Sequence, residues 1–251
     1  MDAHVIARAT GAVRSGSVGP GGSTGDRWIA GVTLRESDRA GRASVPEALT
    51  GMIRLMDDVE ALHARGIIHR DIKPSNIIVT ADGELRLIDF DVAVQRGARS
   101  TLPGHEDVRI GTLPYSAPEQ ILDPATATYE AADIYSLGVV LYEMLTGRIP
   151  FPMTDDEDEE EYRARLPFAD PVPPTAYRPD LAPQIEAVLL KAMRRDPAAR
   201  HASVAELREE LEAAFGAVGD PEPRANASRA PTSILLIVPL VPLALWLFLS
   251  G

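Results

Sequence analysis

The chain has 251 residues, no Cys and a formal net charge of −12, with 45% apolar and 25% charged residues. This is enough for one or two globular domains with a sizeable core, and too apolar for a disordered chain. The acid excess leaves no basic stripe for nucleic-acid phosphates, and the missing Cys excludes disulfides, thiolate metal sites and Cys nucleophiles.

Residues 1–25 are rich in Gly, Ser and Arg without a period, and carry no apolar run of signal-sequence length. They are expected to be a disordered segment. Ser44 and Glu47 form a capping-box pattern, and Leu49, Met52, Ile53, Met56, Val59 and Leu62 recur at helical spacing, so a helix is expected over 44–64, stopped by Gly66. Ile77–Val79 and Leu85–Ile88 are short apolar runs joined by Asp82-Gly83, a hairpin signal. Residues 130–145 predict a mostly apolar, central buried helix ended by Gly147. Two more helices are expected over 184–194 and 203–214, the second opened by another capping box, Ser203 with Glu206. Residues 216–232 read as a Gly-, Pro- and Ser-containing linker.

The last segment is of a different kind. Ile234 to Leu249 is 16 residues without a charge. As a helix at ~1.5 Å per residue it would reach about 24 Å, against a hydrocarbon core of roughly 30 Å, and the flanking Thr232, Ser233 and Ser250 can lengthen it. Pro239 and Pro242 are tolerated in membrane helices, and Arg224 and Arg229 precede the run. The reading is a single-pass membrane helix over 233–250 with the body of the protein in the cytoplasm. A buried core helix or hairpin is the alternative.

The chemistry concentrates at H-R-D-I-K-P-S-N, residues 69–76, and I-D-F-D, residues 88–91. An acid, a cation two residues on and an amide three further share one loop, and a second acid closes the hairpin that follows. Phosphoryl transfer needs such a set: a carboxylate facing the attacking hydroxyl, a cation for developing phosphate charge, and two oxygen ligands for Mg²⁺.

These motifs resemble the catalytic loop and metal-binding motif of the eukaryotic-type serine/threonine protein kinases. The resemblance covers roughly residues 45–215 and implies ATP and Mg²⁺ as cofactors. It implies Asp71 as the catalytic carboxylate and Lys73 as the cation beside the transferred phosphoryl group, Lys73 serving both catalysis and nucleotide binding. Asn76 and Asp89 are implied as metal ligands and so also as cofactor-binding. By the same resemblance His69 is structural, and Arg70 pairs with a phosphorylated activation loop. G-T-L-P-Y-S-A-P-E, residues 111–119, is similar to the segment that receives the substrate peptide, with Thr112 bonding Asp71. Asp133 would brace the catalytic loop, and Arg200 would be the buried partner of Glu119. The implied fold is mainly α, a protein-kinase-like C-lobe with a small β-hairpin at the cleft, filling a truncated kinase domain over 26–215.

Part of the family's pattern is absent. Lys73 and Lys191 are the two Lys of the chain, so no strand Lys precedes the catalytic loop. Gly16 to Gly22 reads G-S-V-G-P-G-G, which departs from G-x-G-x-x-G. The 43 residues before Ser44 are fewer than the roughly 60–80 a full N-lobe needs. The expectation is therefore that most of the N-lobe is missing. Asp91 stands where the family has Gly; its charge would either repel nucleotide or tighten Mg²⁺ binding. Ser100 and Thr101 fall where activation-loop phosphosites occur. The acid run Asp155 to Glu161 reads as a solvated loop, or as a dock for basic substrate peptides. Two functions follow as expectations: phosphorylation of Ser or Thr on protein substrates, or a membrane-tethered pseudokinase or fragment that binds a partner kinase.

Overall fold

Ser44 starts the first helix as its sequence requires. Its Oγ accepts the Glu47 N–H at 3.4 Å, and its own N–H donates to Glu47 Oε2 at 3.0 Å, closing the capping box at the head of α1 (Val45–His63). Leu49, Met52, Leu55, Met56 and Val59 form the buried face, and Gly66 at φ 73° turns the chain out of the helix region. The computed structural model describes residues 12–18, 24–37, 43–89, 93–95, 113–122 and 130–217. The chain divides into two units, 1–219 and 220–251. The second unit, with the expected membrane segment, lies outside the described residues. No helix among the described residues is long and apolar enough to cross a membrane.

The strands are β1 (Ala12–Val18), β2 (Thr24–Thr33), β3 (Ile67–Ile68), β4 (Ile77–Thr80), β5 (Leu85–Leu87) and β6 (Val94–Gln95). The expected β4–β5 hairpin forms, with Ile77 opposite Leu87, Val79 opposite Leu85, and Gly83 at φ 85° in the turn. It does not stand alone. β2 pairs antiparallel with β4 and β1 with β2, giving the sheet order β1-β2-β4-β5. Within the segment 1–25 expected to be disordered, Ala12–Val18 are β1, while residues 1–11 and 19–23 lie outside the described residues. Gly31 permits the β2–β4 contact: a Cβ there would lie 2.4 Å from the Val79 carbonyl oxygen. Past β2, Leu34 N–H donates to the Ile77 carbonyl at 2.7 Å and Arg35 N–H to the Pro74 carbonyl at 3.2 Å. The segment before α1 is thus stitched to the loop that carries the motif.

The remaining helices are α2 (Pro118–Leu122), α3 (Glu130–Thr146), α4 (Glu159–Arg165), α5 (Pro183–Ala192) and α6 (Val204–Ala217). As predicted, α3 is the central one, buried from Ala132 to Tyr142 without interruption. Gly138 lets it approach α5: a Cβ there would lie 2.9 Å from Ala192 Cβ. At α6 the predicted capping box is half formed. Ser203 Oγ accepts the Glu206 N–H at 3.1 Å, but the Glu206 carboxylate takes the Ala202 N–H at 2.7 Å and pairs with Lys191 at 2.9 Å. The acid run is only partly loop. Asp158 and Glu161 make a complete capping box on α4, where acids are favoured by the helix dipole, and Glu157 pairs with Arg165 at 2.6 Å.

Two groups make the fold sensitive to charge. The fully buried Arg200 side chain meets Glu119 through two parallel bonds of 2.7 Å, donates to the Ala131 and Arg194 carbonyls at 2.7 and 2.6 Å, and lies 5.0 Å from the Tyr135 ring. Glu119→Gln leaves a buried guanidinium without its counter-charge, and should lower unfolding free energy by about 3–5 kcal/mol in urea titration. His201 is also buried, with Nε2 3.2 Å from Glu210. Burial, reinforced by the Lys191 charge and opposed by Glu210, lowers its pKa from the ordinary 6.5. Below that pH the unfolded chain binds a proton that the folded chain resists, so stability falls on acidification. Urea midpoints between about pH 7 and pH 5 should show this slope, and His201→Gln should remove it.

Candidate active site

The catalytic-loop segment hangs from a carboxylate in the core. Asp133, on α3, has no exposed surface. Its Oδ2 accepts the His69 N–H at 2.9 Å and its Oδ1 the Arg70 N–H at 2.8 Å. His63, in the last turn of α1, donates from Nε2 to Oδ2 at 2.8 Å. These bonds hold Arg70 at φ 69°, a left-handed conformation that costs a non-Gly residue on the order of 1–3 kcal/mol. Burial lowers the pKa of the Arg70 guanidinium, and the Asp133 charge opposes this. Asp133 thus takes the bracing position that the sequence implied.

On this support the structure brings Asp71, Lys73 and Asn76 together. Lys73 Nζ lies 2.7 Å from Asp71 Oδ2, and Asn76 Nδ2 donates to the same Oδ2 and to the Asp71 carbonyl, both at 2.9 Å. Asp71 and Lys73 remain partly exposed, with 17% and 19% of their side-chain surface accessible, so both can meet a substrate. His69 is fully buried beneath them. Its Nδ1 accepts the Asp71 N–H at 3.3 Å and its Nε2 donates to the Ile88 carbonyl at 3.2 Å, which fits the structural role.

Asp89 reaches the same region by a second tie. Ile88 N–H donates to the Asn76 carbonyl at 2.9 Å, and Asp89 follows at φ 66°. Asn76 turns its Nδ2 to the two Asp71 acceptors, which leaves Oδ1 as the atom available to a cation. An amide oxygen and a carboxylate are hard donors, the type Mg²⁺ takes. No cluster of three or more acid or His side chains suited to a metal occurs among the described residues. A cation held by Asn76 and Asp89 would therefore fill its remaining positions with water or phosphate oxygen, as Mg²⁺ commonly does.

The segment over residues 113–122 packs against this loop. A 3₁₀ turn, Leu113–Tyr115, leads into α2. Ser136 Oγ donates to the Tyr115 carbonyl at 2.7 Å, and the Tyr115 hydroxyl donates to Glu143 at 2.6 Å. Burial, with the Glu143 charge, raises the Tyr115 pKa. Gln120 Nε2 donates to the Arg70 carbonyl at 3.0 Å. Sequence reasoning missed both His63 and Gln120. Each is one polar residue in a helical pattern, and nothing in the local spacing marks its distant partner. Asp91, Ser100, Thr101 and Thr112 lie outside the described residues.

Comparison with known proteins agrees with this geometry. The family model for the protein kinase domain matches residues 30–210. The chain is 35% identical over 187 residues to a probable serine/threonine-protein kinase of Streptomyces coelicolor, covering 74% of this chain and 27% of the relative. It is 33% identical over 216 residues to the serine/threonine-protein kinase PknB of Mycolicibacterium smegmatis, covering 84% and 33%. It is 36% identical over 166 residues to the serine/threonine-protein kinase Pkn1 of Myxococcus xanthus, covering 64% and 23%. The chain thus spans about a quarter to a third of the length of these relatives. With a carboxylate, a cation and an amide converging on one braced loop and the domain matched over residues 30–210, the chain belongs to the protein kinase family.

Proposed function

We propose that this chain carries the phosphoryl-transfer site of a serine/threonine protein kinase, acting on Ser or Thr hydroxyls of protein substrates with ATP and Mg²⁺. The observation that carries the reading is the Asp71–Lys73–Asn76 cluster, tied through Asp133 to the core. Asp71 orients the incoming hydroxyl and accepts its proton at the carboxylate. Lys73, beside Asp71 Oδ2, offsets negative charge as the phosphoryl group moves. Asn76 and Asp89 would hold Mg²⁺, which when bound neutralises phosphate charge. Asn76 also fixes the Asp71 carboxylate through Nδ2, so the base is preorganised before substrate arrives.

A second reading is a non-catalytic module that binds a partner kinase or substrate. It is favoured by two observations: no Lys precedes Lys73, and Gly16 pairs with Asp26 inside the β1–β2 ladder. On this reading the residues ahead of the loop do not grip the phosphates of ATP. In either case the uncharged run Ile234 to Leu249 tethers the chain to a membrane, with residues 26–215 on the cytoplasmic side.

Two measurements test these readings. Phosphotransfer to a protein substrate should fall by about 10²–10⁴-fold in Asp71→Asn, with Mg²⁺-ATP affinity retained. An unchanged rate would remove Asp71 from the reaction, and a wild-type chain that neither binds Mg²⁺-ATP nor transfers phosphate would leave the binding module. Alkaline carbonate extraction should keep the full chain in the membrane pellet and release a chain ending at residue 217. Recovery of the full chain in the supernatant would sink the tether.

A further inference from the structure

We infer that Gln120 is a positioning residue that couples the seating of the substrate-side segment to the orientation of Asp71; this deepens the kinase reading and rests on it. The Arg70–Asp71 peptide unit decides where the Asp71 side chain starts from. Its N–H donates to His69 Nδ1 at 3.3 Å, a long bond. Its C=O accepts from Gln120 Nε2 at 3.0 Å. That plane joins Arg70, held at φ 69°, to the carboxylate-bearing residue, so a rotation there swings Asp71 directly. The Gln120 bond is the shorter of these two.

The other end of Gln120 is committed to the substrate side. Oε1 accepts the Ala117 N–H at 2.9 Å, and the Gln120 N–H donates to the Ala117 carbonyl at 2.9 Å. Ala117 lies in P-Y-S-A-P-E, between the Leu113–Tyr115 turn and α2. Gln120 is 8% exposed and has both amide ends occupied. The amide orientation is fixed by its partners, since a carbonyl oxygen needs a donor and an N–H needs an acceptor. A helix cap alone would use only Oε1, as Glu does at this position of a capping box. Nε2 is the atom that capping leaves over, and it spans 50 residues of sequence to the catalytic loop. Displacement of the segment at 113–119 would therefore withdraw a restraint from the Arg70–Asp71 plane.

Gln120→Glu separates the two ends. It keeps the size and the acceptor to Ala117, but sets a carboxylate oxygen against the Arg70 carbonyl. In the full chain at about pH 8, kcat should fall by tenfold or more while KM for ATP stays within about twofold. Burial raises the pKa of the introduced carboxyl, and its protonated form can donate to Arg70. The rate relative to wild type should thus recover as pH falls toward about 6. Residue-resolved amide exchange gives a readout that does not need turnover: the Asp71 N–H should exchange faster in Gln120→Glu, with Ala117 N–H unchanged. In Gln120→Met both should exchange faster, and this variant decides the matter should Gln120→Glu not fold. Unchanged Asp71 exchange in the folded variants would overturn the inference, as would a Gln120→Glu kcat near wild type at every pH. An inactive wild type whose Asp71 amide still responds would defeat the kinase reading and leave the coupling standing.

Discussion

The buried carboxylate of Asp133 is the point on which the site depends. A carboxylate with no exposed surface would be costly without partners, and here three donors meet it: the His69 and Arg70 amides and the His63 imidazole. Each donor satisfies a group that is itself buried or strained. Removing the acid would therefore expose several costs together, since such networks are worth more than their separate bonds. Asp133 sits in α3, which is buried without a break from Ala132 to Tyr142, so the loop takes its reference from a closely packed core helix.

From that anchor the order of control runs outward. Arg70 is held in a left-handed conformation, His69 lies beneath the loop with one ring nitrogen toward Asp71 and the other toward Ile88, and Asn76 closes back on Asp71. The Asp71–Lys73 pair is partly exposed, and such pairs contribute little net stability. What it does is hold a carboxylate and a cation in register at a partly exposed surface. The buried Glu119–Arg200 pair performs a different task, fixing the start of α2 against the segments that follow α5.

The helices and the hairpin were legible because their signals are local. Ser44 with Glu47 marked α1, Asp82-Gly83 marked the β4–β5 turn, and the apolar run before Gly147 marked α3. The Asp71, Lys73, Asn76 and Asp89 set was legible as a motif, and the loop does bring the first three into contact. What escaped depended on partners far along the chain. β1 pairs with β2 and β2 with β4 through backbone bonds that a Gly-rich sequence does not advertise, and Gly31 is there for the close approach to Val79. The half-formed box at Ser203 failed because Lys191 and the Ala202 amide compete for the Glu206 carboxylate. His63 and Gln120 satisfy buried acceptors 70 and 50 residues away, and no periodicity carries that information.

The two functional readings differ in which part of the chain they question. Among the described residues, Asp71 is held by Lys73 and Asn76 within its own loop, and through the loop backbone by His63, Asp133, Gln120 and Ile88. The segment past β2 reaches the loop at its far end, where Leu34 and Arg35 bond the Ile77 and Pro74 carbonyls. The Asp71 carboxylate is thus positioned from the core side of the loop, and the loop's other end is tied by the segment past β2. Order in that loop agrees with membership of the protein kinase family, while affinity for nucleotide is a property of the residues that would cover it.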